Sequence, residues 1–220
     1  MTDVYEPGST MKILTLVAAL ESGRYTPGTM IETAPGYVRT GRKTYQDPRN
    51  YGEISVTRVM QKSSQVGVTK IAMDIGHEPI WNVFNRFGIG EPLAFGYGIT
   101  ASPLQIARAY AVFANDGVRL PVSLLALQGE VPQGERVMRQ ETAAQVLRVL
   151  HAVTDDDGTG SRARVAGYRV GGKTGTVHKV GPGGYDRSRY VALFAGVAPV
   201  DAPRIVTVVV INEPQGEDYG

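Results

Sequence analysis

The sequence predicts an α+β fold, a helical lobe followed by a small antiparallel sheet. Three observations carry this. Up to residue 153 the apolar residues recur mostly at helical spacing, whereas the last fifty residues hold runs rich in Val, Ile, Phe and Ala. Helices therefore come first and strands last, without the strand–helix–strand alternation of a parallel sheet. The 27 Gly and 13 Pro among 220 residues require many loops, yet stay below the level of a disordered, low-complexity chain.

After Pro7-Gly8, apolar residues at Met11, Leu14 and Ala18, thickened by Ile13, Leu16, Val17 and Leu20, predict a helix that stops at Ser22-Gly23. Its all-round hydrophobicity places it at the protein centre. Residues 24–52, punctuated by Pro27-Gly28, Pro35-Gly36 and Pro48, read as irregular. Short helices fit Val56 to Gln61 and Val66 to Ile75, the second ended by Gly76, with Lys62-Ser63-Ser64-Gln65 as the turn between them. Ile80 to Phe87 is helical. So is Pro103 to Asn115, with proline in its first turn, Gly117 after it, and Ile106, Ala109, Tyr110 and Phe113 on one face. Glu141 to Val153 is the last helix. Tyr190 to Val200 and Arg204 to Asn212, joined by Asp201-Ala202-Pro203, form a hairpin, with Gly167 to Val177 as a third strand.

Charge and composition exclude several functions. A net charge of +2, from 23 Lys+Arg against 21 Asp+Glu, gives no broad cationic field for nucleic acid. The basic cluster Arg39, Arg42, Lys43, Arg49 reads as a solvated loop. The chain has no cysteine, so thiolate nucleophiles, disulfides and Cys-based zinc sites are excluded. His77, His151 and His178 lack metal-ligand spacing, so neither metal nor other cofactor is expected. The longest apolar run, Ile13 to Leu20, is eight residues with Thr15 among them, far short of the ~18 needed to span a bilayer.

Ser9-Thr10-Met11-Lys12 is the first candidate for chemistry. Spacing of i,i+3 on a helix puts the lysine amine on the side of the serine hydroxyl. A serine there can act as a nucleophile if a base takes its proton. For Lys12 to be that base, its pKa must fall from about 10.4 toward 7, which asks for roughly 4–5 kcal/mol. Burial and a second nearby cation are the available means. The competing reading makes Ser9 an N-cap and Lys12 a surface residue. With nine Ser and six Lys, the pattern arises by chance in about a quarter of such chains, so alone it decides little.

Gly171-Gly172-Lys173-Thr174-Gly175-Thr176 is the second candidate. Gly167 through Thr174 satisfies the phosphate-loop pattern GxxxxGK[ST]. That motif needs a following helix, and Val177-His178-Lys179-Val180-Gly181-Pro182-Gly183-Gly184 cannot be one. Only 46 residues remain, and they form a hairpin. Read instead as a strand edge, Lys173 offers a cation, Thr174 a hydroxyl, and Gly175 lets a substrate approach the backbone. Such an edge can add an extended peptide as a further strand.

S-x-x-K together with K-T-G is the signature of penicillin-binding proteins and serine β-lactamases. The resemblance extends further. Thr2 through Lys12, Lys62-Ser63-Ser64-Gln65-Val66-Gly67, Phe95-Gly96-Tyr97-Gly98-Ile99-Thr100 with Pro103-Leu104-Gln105, and Gly158-Thr159-Gly160-Ser161-Arg162-Ala163 each resemble segments of class B penicillin-binding proteins. Together they cover most of the chain, and the septal type is the most similar.

The resemblance implies a penicillin-binding transpeptidase, serine β-lactamase-like fold, and a D,D-transpeptidase that cross-links peptidoglycan stem peptides and is acylated by β-lactams. Ser9 would attack the D-Ala–D-Ala carbonyl and Lys12 would accept its proton. Ser63 would relay a proton to the leaving amine. Gln65 would contact Lys12 and the substrate amide, and Lys173 would supply positive potential. Thr174 and Thr176, with Gly175 between them, would receive the terminal carboxylate. The backbone N–H groups of Ser9 and Thr176 would form the oxyanion hole. Division-machinery membrane proteins as partners, and a periplasmic catalytic domain at the bacterial inner membrane, are implied in the same way. No glutamate lies in a segment resembling the deacylating one of class A β-lactamases, so hydrolysis of the acyl-enzyme is expected to be slow.

The chain departs from the family in three places. Gln65 stands where the family has Asn, one methylene shorter. A catalytically silent scaffold of the same fold is the alternative that this substitution keeps open. Gly90-Glu91-Pro92 passes directly to Leu93-Ala94-Phe95, where relatives carry a longer insert. Residues 1–220 are expected to be one partial transpeptidase domain, without membrane anchor, non-catalytic module, first sheet strands or C-terminal helix. Its incomplete sheet should expose an edge and an apolar face.

Overall fold

A computed structural model describes residues 4–90, 99–129, 132–181 and 184–215. A 3-10 turn, Gly8–Met11, leads into helix α1 (Lys12–Glu21). Four short strands follow: β1 (Met30–Glu32), β2 (Tyr37–Thr40), β3 (Lys43–Gln46) and β4 (Glu53–Ser55). Then come α2 (Val56–Gln61), α3 (Gln65–Ile75), α4 (His77–Phe87) and α5 (Pro103–Ala114). After the small strands β5 (Val118–Arg119) and β6 (Glu135–Arg136) comes α6 (Gln140–Val153). The chain then forms β7 (Gly171–Gly181), β8 (Gly184–Ala198) and β9 (Ile205–Asn212).

Helix α1 is the centre of the molecule, as its hydrophobicity predicts. Residues 13–20 are all buried, and α3, α4 and α6 pack around it. Each buried Ile, Leu or Val there contributes about 1.5–3 kcal/mol. On α5, Ile106, Ala109, Tyr110 and Phe113 are buried on the predicted face. The Phe113 ring meets Phe87 at 5.6 Å and Tyr110 edge-on at 5.5 Å, the offset geometry that aromatic quadrupoles favour. Ser102 and Gln105 complete a reciprocal capping box at the start of α5, just ahead of Pro103.

The three long strands form one antiparallel sheet in the order β7-β8-β9. Lys173 lies opposite Ala195, and Thr174 opposite Phe194. Helices α5 and α6 cover one face. The other leaves Ile205, Val209 and Ile211 46–62% exposed.

Three readings need correction. Residues 24–52 are not wholly irregular: β1 pairs with β4, and β2 with β3, as two-stranded antiparallel ladders too short and polar to show periodicity. Helix α4 starts three residues earlier than expected, because Gly76 at φ +84° caps it and Pro79 is tolerated in its first turn. Strand β7 begins at Gly171, not Gly167, and runs to Gly181. The register shift between His178 and Lys179 lets the β7–β8 hairpin continue outward beyond Tyr190. The shortened connection around Glu91-Pro92 and the segment Phe95-Gly96-Tyr97-Gly98 lie outside the described residues, as do Thr2 and Asp3.

Candidate active site

Ser9 sits in the 3-10 turn that feeds α1. The turn's N-cap is Pro7 and that of α1 is Met11, neither with a side-chain cap, so Ser9 is not a capping residue. The Lys12 backbone N–H donates to the Ser9 carbonyl. Thr10 secures the turn by donating its hydroxyl to the Pro7 carbonyl at 2.7 Å. The buried Tyr110 hydroxyl donates to the Thr10 carbonyl at 2.9 Å, which ties the turn to the aromatic core. Gly8 has φ +52°, and a Cβ there would lie 2.4 Å from Val177 Cγ2 of β7. Only glycine permits this close passage of turn and strand.

The second segment approaches from the α2–α3 turn. Lys12 Nζ donates to the Ser63 carbonyl at 2.6 Å and to the Ser63 hydroxyl at 3.3 Å. Ser63 has φ +54°, a left-handed conformation that costs a non-glycine residue about 1–2 kcal/mol. Such strain persists only where the surroundings hold it, and it clusters at functional sites. Ser64 caps α3, accepting the Gly67 N–H at 2.8 Å. Lys62 and Arg58 both pair with Asp157, tying this turn to the segment after α6.

Strand β7 supplies the third segment. Lys173 is fully buried on the helix-facing side of the sheet, and its Nζ donates to the Ser63 hydroxyl at 3.0 Å. Thr174 and Thr176 lie on the opposite face and are half-buried. The Thr174 hydroxyl donates to that of Thr159 at 3.1 Å. A Cβ on Gly175 would stand 3.0 Å from the Pro7 carbonyl. Among the described residues β7 pairs on one side only, with β8.

Two amines thus converge on one hydroxyl. Burial lowers the Lys12 pKa to about 8, against the opposing pull of the Asp47 charge. Lys173 is pushed well below its ordinary value by burial and then by the Lys12 charge. Lys173, expected as a cation, therefore gives up its proton more readily than a solvated lysine, because burial and a like charge this close both disfavour the ammonium. A hydroxyl between two such amines can accept a proton from one and donate to the other.

Gln65 is placed otherwise than the resemblance implies. It is the first residue of α3, its backbone N–H is held by Asp47, and its side chain makes no hydrogen bond among the described residues. Lys12 turns its amine to Ser63 instead. The phosphate-loop reading fails on topology: Thr174 continues into an antiparallel strand, not a helix. Arg39, Arg42, Lys43 and Arg49 are exposed in and just after the β2–β3 hairpin, with Arg49 stacked 5.3 Å from the Tyr51 ring centroid. Among the described residues no group of three or more His, Asp or Glu is placed to hold a metal, and no helix is long and apolar enough to cross a membrane.

Two residues that touch this site carried no role in the sequence. Thr159 meets Thr174 across 15 positions. Asp47, 3% exposed, accepts hydrogen bonds from Ser64 and Gln65 across 17 and 18 positions. No spacing rule reaches so far; the signals at hand were the family-like segment that contains Thr159 and, beside Asp47, Pro48 marking a turn.

Residues 1–94 and 91–220 match the penicillin binding protein transpeptidase domain. The two matches meet at 91–94, where the sequence reads as a shortened connection. The chain is 36% identical over 247 aligned residues to the peptidoglycan D,D-transpeptidase FtsI of Escherichia coli strain K12, and 34% identical over 245 to a probable peptidoglycan D,D-transpeptidase PenA of Neisseria meningitidis. Each match covers the whole of this chain and 42% of the relative, so the chain spans less than half the length of these proteins. The apo transpeptidase domain of Burkholderia pseudomallei penicillin-binding protein 3 superimposes with a TM-score of 0.90 at 38% identity, covering 97% of this chain and 72% of that one. Penicillin-binding protein 3 of Mycobacterium tuberculosis complexed with aztreonam superimposes at 0.85 and 30% identity, covering 96% and 57%.

Proposed function

This chain belongs to the penicillin-binding protein transpeptidase family, and on that premise we propose that its protein is a peptidoglycan D,D-transpeptidase working through an acyl-enzyme on Ser9. The observation that carries the reading is the Ser63 hydroxyl, 3.3 Å from the Lys12 amine and 3.0 Å from that of Lys173, with Lys12 closing the turn that bears Ser9. Neutral Lys12 takes the Ser9 proton as Oγ attacks the carbonyl of the penultimate D-Ala. The backbone N–H groups of Ser9 and Thr176 stabilise the oxyanion. The C–N bond breaks, and Lys12, through Ser63, returns the proton to the departing D-Ala amine. An amine of a second stem peptide then attacks the Ser9 ester, loses its proton to the same relay, and frees Ser9. Thr174 and Thr176 hold the donor's terminal carboxylate, with Lys173 supplying charge when protonated. Gly175, with no side chain, lets the turn that bears Ser9 pack close against the strand.

β-Lactams present the same amide and carboxylate, so they acylate Ser9. The septal assignment, division-machinery partners and a periplasm-facing place at the inner membrane rest on resemblance to the septal class. The deciding experiment is incubation with a fluorescent penicillin, followed by intact mass. A covalent adduct that disappears in Ser9→Ala supports the enzyme; a folded protein that takes no label is the silent scaffold.

A further inference from the structure

We propose that Asp47, which belongs to none of the three motif segments, is a positioning residue for the second: it holds the Ser63–Ser64–Gln65 turn so that Ser63 faces Lys12. The inference rests on the acyl-transfer reading above. Asp47 follows β3, and its backbone N–H is anchored to the Gly36 carbonyl at 3.0 Å. Its buried carboxylate accepts the Ser64 hydroxyl at 2.5 Å and the N–H groups of Gln65 and Val66 at 2.5 and 3.2 Å. The Ser64 oxygen in turn accepts the Gly67 N–H, so one carboxylate organises the first turn of α3. Negative charge at a helix N-terminus is favourable in its own right. Ser63, immediately before this anchored turn, is thereby kept at φ +54° with its carbonyl and hydroxyl on the Lys12 amine.

Asp47 also acts on that amine through space. Among the described residues the charges facing Lys12 are Asp47 and, from β7, Lys173. Arg58 on α2 and Lys62 just after it are occupied by Asp157, and Lys70 on α3 turns to the carbonyls of Glu32 and Ala34. The carboxylate favours protonated Lys12, opposing burial. Removing its charge lets Lys12 become neutral at lower pH, which loss of packing alone would not do.

The test is the rate of acylation by a penicillin as a function of pH, for wild type, Asp47→Asn and Asp47→Ala. Asparagine keeps an acceptor for the Gln65 and Val66 N–H groups but loses the charge. D47N is expected to move the acid limb about 0.5–1 pH unit lower and to cut the plateau about tenfold, and D47A about a hundredfold. A limb that stays at its wild-type pH in folded D47N overturns the proposal. If D47N does not fold, Ser64→Ala decides: it keeps the charge, so its plateau must fall about tenfold with the limb unmoved, and an unchanged plateau overturns the idea. Absence of acylation in wild type overturns the acyl-transfer reading instead.

Discussion

The Ser63 hydroxyl lies 3.0 Å from the Nζ of Lys173, a residue 110 positions further along the chain. That contact joins the helical lobe to the edge of the sheet. It also makes Ser63 the hydrogen-bonded bridge between the two lysines, since Lys12 reaches the same oxygen from the other side.

Removing the bridge should remove the proton path. Ser63→Ala is expected to slow acylation by a penicillin about 10²–10³-fold, the range of a lost acid–base group, while the protein stays folded. A rate within tenfold of wild type would take Ser63 out of the proton path.

The lowered pKa of Lys12 sets a pH profile. The base acts when neutral, so with a value of about 8 the acylation rate should rise roughly fivefold from pH 7 to 8 and flatten by about pH 9–10. Stability follows in the same direction. The unfolded chain holds this proton to about pH 10.5 and the folded one only to about pH 8, so folding stability rises with pH across that window. Melting temperatures between pH 8 and 10 should climb in wild type and climb less in Lys12→Met; equal slopes would contradict the shift.

Gly8→Ala tests the close passage of turn and strand. The new Cβ must fit a left-handed backbone and meets Val177 Cγ2 at 2.4 Å, a combined cost of about 2–4 kcal/mol. The melting temperature should fall by roughly 5–15 °C. Acylation of the folded fraction should drop at least about tenfold as Ser9 is displaced. A melting temperature within about 2 °C of wild type would show that the strand yields.

Gln65→Asn restores the shorter amide of the family at a position whose side chain is unengaged among the described residues. Acylation is expected to rise by roughly tenfold if the extra methylene misplaces the amide, since displacements near 1 Å can cost a hundredfold. An unchanged rate rejects that role for the side-chain length.

Much of this was readable before any coordinates. The helix of Lys12–Glu21 announces itself by a dense run of apolar residues and a Ser-Gly stop, and α5 by Pro103 and a buried face of Ile106, Ala109, Tyr110 and Phe113. These are interactions within a few residues, so spacing encodes them. The outer part of the hairpin, where β8 starts at Gly184 and not at Tyr190, was missed because a register shift between His178 and Lys179 is a property of the pair of strands, not of either one.

Residue order alone therefore supplied the helical core, the late hairpin and the chemistry-bearing side chains. Folding in space added their relations. It brought Lys12 and Lys173 onto one hydroxyl, left Gln65 aside, and set Asp47 beneath the turn that carries Ser63. Helix and strand periods repeat over two to four residues, whereas buried charges and shared protons depend on distances between segments that only packing can close.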